Sequence, residues 1–251
     1  MSPVAYALLV LAGFGSGLVD SIAGGGGLVT FPALVAAGLP PHLALGTNKG
    51  QAVFGAVSSA VSYWRGGGLD RDRAALAVAC GFAGSLLGAF TLLAVRPEPL
   101  RPIILVLLAG AAAVVLLRGR VKARARTPSH PRMVLAGIGL GLGAYDGFFG
   151  PGVGSMLIVA FMLCFGDSIT RASGNAKVVN LASNVAAVAV FGARGTVLWA
   201  VALPMAVANG LGAALGARLA LRHGDRFVRW VVLLVVLAAM AKLAVDFARA
   251  R

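Results

Sequence analysis

The stretch SIAGGGGLVTFPALVAAGLPPHLALGTNKGQ, residues 21–51, decides how the rest of the chain is read. An apolar run is broken by four consecutive glycines, Gly24, Gly25, Gly26 and Gly27, then resumes to about residue 38 and breaks again at Pro40-Pro41. The next apolar run carries Thr47, Asn48, Lys49 and Gln51. A helix interior loses about 1 kcal/mol at a glycine and about 3 at a proline. In hydrocarbon, each backbone polar group left unpaired costs several kcal/mol more. Such a break therefore belongs where protein buries it or a wet cavity receives it.

The same pattern returns in the second half as GFFGPGVGSM, residues 147–156, with Gly150, Gly152 and Gly154 at the break. SGNAK follows at residues 173–177, with Ser173, Asn175 and Lys177. An offset of 126 superposes Gly15, Gly17, Asp20, Gly24 and Gly26 on Gly141, Gly143, Asp146, Gly150 and Gly152. After a two-residue insertion, an offset of 128 superposes Ala44, Gly46, Lys49, Val57 and Gly67 on Ala172, Gly174, Lys177, Val185 and Gly195. Glycine and alanine matches mean little in this composition, but an Asp and a Lys matched among so few charges mark an internal duplication. Interrupted apolar segments at matching positions of two halves point to a transporter's binding site. Isolated pairs such as Gly13/Gly17 and Gly84/Gly88 read instead as small-residue helix contacts.

Working outward, the 251 residues are 59% hydrophobic and 12% charged, with a mean hydropathy of +0.90. An average soluble domain is roughly 25% charged. The chain reads as an all-α, multi-pass membrane protein with no length left for a soluble domain. Apolar segments fall near 3–22, 27–38, 43–64, 73–95 and 100–118, then near 133–149, 153–165, 171–192, 196–217 and 229–248. The expected organisation is a first transmembrane repeat over 1–118, a basic cytoplasmic linker over 119–132 with Arg120, Lys122, Arg124, Arg126 and Arg132, and a second repeat over 133–251.

Eight to ten segments fit, and the arginines favour ten. Five crossings per half place Arg65, Arg71, Arg73, Arg118, the linker cluster, Arg171, Arg218, Arg222, Arg226 and Arg229 on one side. Arg96, Arg101, Arg194, Lys242, Arg249 and Arg251 fall on the other. The richer side is cytoplasmic by the positive-inside tendency, so the repeats are inverted, five plus five. Joining the first two segments of each half into one broken crossing strands the arginines of 218–229 outside.

The formal charge of +14 is thus a topology signal, and nucleic-acid binding is not expected. Cys80 and Cys164 lie singly in apolar runs, which disfavours disulfides and metal sites. His42, His130 and His223 read as solvated loop residues. No nucleophile elbow, metalloprotease, Walker or dinucleotide motif is present. Neither enzyme chemistry nor a cofactor is expected.

Half-helices starting near Gly27 and Gly154 would present free N–H groups and positive dipole ends to an anion. Lys49 and Lys177, each a few residues into an apolar segment beside a polar cluster, need an anion, a carboxylate or water as partner. Thr47, Asn48, Gln51, Ser173, Asn175, Asn180 and Asn184 supply donors for an oxygen-rich ligand. Asp20 and Asp146 complicate this, since two carboxylates would cancel the two lysines. They are candidates for a structural lock with Lys, for proton coupling, or for helix-end placement near water. A cation site built on them is the rival reading, and a non-transporting scaffold is another.

At these residues the chain resembles the sulfite exporter TauE/SafE family, also called TSUP or DUF81. Residues 13–70 look like its first repeat, and residues 137–195, with GAYDGFFGPGVGS and SGNAKVVNLASN, look like its second. The resemblance implies an inner-membrane permease for small anions, often sulfur oxyanions or organosulfonates such as sulfite or sulfoacetate, working in the bilayer and compatible with homo-oligomerisation. By motif, it places Gly24 to Gly27 and Thr47 to Lys49 against substrate from one half, and Gly150 to Gly154 and Asn175 to Lys177 from the other. The second half has Asn175-Ala176-Lys177 in place of a full Thr-Asn-Lys, so the halves need not hold the ligand alike.

Overall fold

A computed structural model describes residues 1–118 and 128–249; at 97–99, 101, 112, 115–118, 225, 228, 229 and 231–249 it describes the backbone alone. The described residues are helical, with no strand. In chain order the helices are α1 (Pro3–Ala23), α2 (Gly27–Ala36), α3 (Pro41–Arg65), α4 (Arg71–Ala94), α5 (Pro97–Arg118), α6 (Pro131–Phe148), α7 (Val153–Phe165), α8 (Ile169–Ala193) and α9 (Trp199–Arg249). Helix α9 is interrupted at Gly224, whose φ of 66° and ψ of −162° are not helical.

Each expected apolar segment lies in a helix, with two corrections. A loop was expected between the last two segments, but α9 runs through it with only the Gly224 kink, and His223 lies on the helix rather than in a loop. Several helices also start earlier than the apolar pattern suggests, because Pro41, Pro97 and Pro131 sit in first turns. There the missing N–H has no intrahelical partner to lose. Arg132, assigned to the linker, therefore belongs to α6. Arg120, Lys122, Arg124 and Arg126 lie outside the described residues.

Among the described residues, four helices are long and apolar enough to cross a membrane: Pro3–Ala23, Arg71–Ala94, Ile169–Ala193 and Trp199–Gly224. The 10 residues of α2 and the 13 of α7 extend only about 15 and 20 Å at 1.5 Å per residue. Both fall short of the roughly 30 Å hydrocarbon core.

Packing exchanges the two halves of the chain. Helix α1 lies mainly along α9 and α6 along α4, while α3 packs on α8 and α9 and α8 on α3 and α4. Small residues bring these backbones together: a Cβ at Gly13 would stand 2.9 Å from the Met205 carbonyl oxygen, and one at Gly84 or Gly88 would strike the carbonyls of Leu140 and Ala144. Among the described residues, Cys80 and Cys164 are free thiols.

Candidate functional site

Helix α1 stops because Gly24 takes a left-handed φ of 70°, with its N–H returned to the Asp20 carbonyl. Side chains from the other helices then take up the last carbonyls of α1. Tyr63 donates its hydroxyl to Ser21 at 2.9 Å, and Ser173 contacts the Ile22 carbonyl at 3.2 Å. The Ser155 hydroxyl, on α7, lies 2.9 Å from the Ala23 carbonyl and 2.6 Å from that of Gly24. A broken helix in an apolar medium must satisfy these groups internally.

The second break runs through Gly150 and Gly152, with φ of 94° and 86°, and Tyr145 donates to the Pro151 carbonyl at 3.1 Å. The two breaks meet backbone to backbone, since a Cβ at Gly154 would lie 2.7 Å from the Gly24 Cα.

The buried ion pairs cross between the halves. Lys177 on α8 reaches Asp20 on α1 at 2.5 Å, and Lys49 on α3 pairs with Asp146 on α6. Ser183 also donates to Asp146, and the Gly26 N–H donates to Asp20 at 3.1 Å. Both lysines are buried, Lys49 at 3% exposure and Lys177 at 0%. With two lysines and two carboxylates the site is close to neutral when empty.

Beside the pairs is a cavity of about 30 Å³ lined by Ser16, Asp20, Gly27, Asn48, Lys49, Gln51, Asp146, Gly150, Gly152, Gly154, Asn180, Asn184 and Asn209, with Ala52 and Val153. That volume suffices for ordered water, which needs roughly 10–15 Å³. Its wall is rich in amides. Asn48 Oδ1 accepts from Thr30 at 2.5 Å and from Gln51 at 3.1 Å, while the buried Gln51 Oε1 has no hydrogen-bond partner among the described residues.

Of the residues singled out by sequence, the cavity gathers Asp20, Gly27, Asn48, Lys49, Gln51, Asp146, Gly150, Gly152 and Gly154. Lys177 stands behind Asp20. Gly24, Gly25 and Gly26 form the break without lining the cavity. Thr47 accepts the Leu198 N–H at 3.0 Å, and Asn175 Oδ1 accepts the Asp70 N–H at 2.7 Å. Ser173, besides its α1 contact, donates to Ile169 within its own helix at 2.8 Å. Sequence reasoning missed Ser16 and Asn209. Asn209, whose Nδ2 donates to the Gly13 carbonyl at 3.0 Å, was signalled by being a lone amide in the apolar segment 196–217.

The residues around Asp70 form a second ionic group at one end of the bundle. Arg73 bridges Asp70 and Asp167, each at 2.8 Å, and Arg171 reaches Asp70 at 3.2 Å. Asn175 Nδ2 donates to Asp167 at 2.7 Å. Burial pushes the Asp70 carboxyl up, but the hydrogen bond and charge of Arg73, with Arg171 beyond, outweigh it and hold Asp70 below the usual 3.8.

Apolar spanning helices, two touching helix breaks and buried charge in a polar cavity define a multi-pass membrane transporter. Relatives of the same length carry that description. The chain is 36% identical over 249 residues to the probable membrane transporter protein YfcA of Escherichia coli K12, covering 98% of this chain and 92% of that one. It is 37% identical over 244 residues to the probable membrane transporter protein ORF9 of a Sinorhizobium species, covering 96% and 92%. A probable membrane transporter protein of Haemophilus influenzae is 34% identical over 242 residues, covering 96% and 94%. Residues 9–243 match the sulfite exporter TauE/SafE family, and the chain belongs to that family of membrane transporters, which are not enzymes. No solved structure matches it.

Proposed function

We propose that this chain is a secondary transporter of the plasma membrane that moves a small anion, a sulfur oxyanion or organosulfonate such as sulfite or sulfoacetate, through the cavity between the two helix breaks. The observation that carries this reading is the pair of crossed Lys–Asp contacts beside an amide-lined cavity. An anion arriving there needs lysine charge released by a carboxylate. Asp20, whose side chain is 27% exposed against 3% for Asp146, is the carboxylate a proton reaches. Protonating Asp20 frees Lys177 for the anion, so anion and proton occupancy are linked. The rival cation site has less support, since each carboxylate already holds a lysine.

Alternating access between two inverted halves of five helices completes the proposal. Its support is a series of matched contacts at an offset of 128. The Asp70 N–H on Asn175 corresponds to the Leu198 N–H on Thr47. Gly174 against the Gly68 carbonyl corresponds to Gly46 against the Thr196 carbonyl. In this reading the pathway has two ends, one closed by the Asp70–Arg73–Asp167–Arg171 network and the other by the buried Leu39, Val197 and Val201. Breaking one closure while the other holds exposes the cavity to one side at a time. A monoanion leaving a negative-inside cell alone gains about 2.3 kcal/mol per 100 mV, whereas one that moves with the Asp20 proton carries no net charge, and its direction is set by the anion and proton gradients.

The test is flux of sulfite and sulfoacetate into proteoliposomes holding the purified chain, with Lys49→Gln and Lys177→Gln alongside. Saturable flux that both substitutions abolish is expected. Undiminished flux in folded variants would remove the lysines from the site.

A further inference from the structure

Away from the central cavity, α3 and α9 leave a groove of about 730 Å³ between them, whose lining includes Val57, Val61, Arg65, Arg218, Leu221 and Arg222. Its wall is apolar, and Val57 and Val61 are each 42% exposed, as lipid-facing positions of a membrane protein should be. One end is basic. Arg65, Arg218 and Arg222 are exposed, and none pairs with a carboxylate among the residues whose side chains are described, which do not include Asp225.

The basic end sits at headgroup depth. Trp64, adjacent to Arg65, is 46% exposed and takes the Arg71 guanidinium over its ring at 5.0 Å, the placement that interfacial tryptophans favour. At an offset of 128, Ala193, Phe90 and Ala94 stand where Arg65, Arg218 and Arg222 do, with Arg194 and Arg96 just beyond the helix ends. A generic helix-end arginine would not explain three cations lining one groove. The arginine-rich end is the cytoplasmic one by charge bias, and anionic lipids are concentrated in the cytoplasmic leaflet.

We propose that this groove binds an anionic glycerophospholipid, with the phosphate held by Arg65, Arg218 and Arg222 and an acyl chain laid along Val57, Val61 and Leu221. Guanidinium forks match phosphate oxygens in pairs, and the apolar wall selects a lipid over a soluble phosphate. The lipid would also tie together two helices that reach the central cavity, α3 through Lys49 and α9 through Asn209.

The experiment is a thermal-shift titration of the delipidated, detergent-solubilised full chain with phosphatidylglycerol, phosphatidylcholine and glycerol 3-phosphate. The Arg65→Gln/Arg218→Gln/Arg222→Gln variant and Val61→Trp, which fills the wall and keeps the arginines, are measured in parallel. The expected result is a rise in Tm with phosphatidylglycerol at least twice that with phosphatidylcholine, no rise with glycerol 3-phosphate, and a response at least halved in both variants. Retained lipid, counted by native mass spectrometry, should fall in step, which reads the site even if a variant starts from a lower Tm. Equal responses to both lipids, a full response to glycerol 3-phosphate, or unchanged lipid retention in the arginine variant would overturn the proposal.

Discussion

The two crossed ion pairs use the same residue types at matching sequence positions, yet their surroundings differ. Asp146 is sealed, with Lys49 on one oxygen and Ser183 on the other. Asp20 keeps a 27% exposed side chain beside the cavity, and its second contact is the Gly26 N–H of the break itself. On the proposed reading, this difference in solvent access lets one pair fasten the halves together while the other exchanges its partner. Removing one member of a buried pair leaves the other charge uncompensated, at a cost of about 3–5 kcal/mol.

The largest expected effect follows directly. Lys49→Ala should lower the stability of the purified protein by that amount, seen as a large fall in Tm or in folded yield. Lys177→Ala, leaving Asp20 with access to water, should cost visibly less. Equal losses would erase the distinction between a fastening pair and an exchanging one.

A smaller effect tests whether the halves are equivalent where the distinction does not apply. A Cβ at Gly46 strikes the Thr196 carbonyl and one at Gly174 the Gly68 carbonyl, so Gly46→Ala and Gly174→Ala should each cost about 1–3 kcal/mol by overpacking. Thermal unfolding of the two single variants should agree closely; a large cost in only one would mean that the matched contacts are not equivalent.

The two ends of the bundle extend the comparison, because one is closed by charge and the other by apolar side chains. With Cys80 and Cys164 replaced by Ser and an Ala52→Cys reporter in the cavity wall, Arg73→Gln should increase labelling from the Asp70 end and leave labelling from the Leu198 end unchanged. Arg171, whose side chain is 53% exposed, contributes at most about 1 kcal/mol, so Arg171→Gln should have the smaller effect. Because Asp70 is held below 3.8, its ionised contribution is present above that value and is lost only as the pH falls further, through its folded value. Labelling from that end, normalised to the same thiol's rate in the unfolded chain at each pH, should therefore stay flat from neutral pH to about pH 5. A rise across that range would show that the closure titrates.

Much of this was legible in the sequence. The glycine runs, the prolines and the apolar segments placed the helices, and a lysine and an aspartate repeated among few charges marked the centre. Partner choice was not legible: Asp20 could have met Lys49 in its own half, and only packing shows that it meets Lys177. The sequence ranked Ser173 with the ligand donors, whereas in the fold it serves a carbonyl of α1, because a broken helix consumes nearby hydroxyls before any ligand can. Nothing in the sequence pattern joins Asp70, Arg73 and Asp167; they come together only through the close approach of the α4 and α8 starts. Gly224 was too weak a signal to separate a kink from a loop.

The most direct test of the central claim is calorimetric titration of sulfite into the detergent-purified protein and into Asp20→Asn and Asp146→Asn, each in two buffers of different ionisation enthalpy. The account predicts that sulfite binds the unmodified chain with proton uptake, that Asp20→Asn binds without it, and that Asp146→Asn, if folded, keeps the linkage. Sulfite binding with the same proton uptake in Asp20→Asn would contradict it.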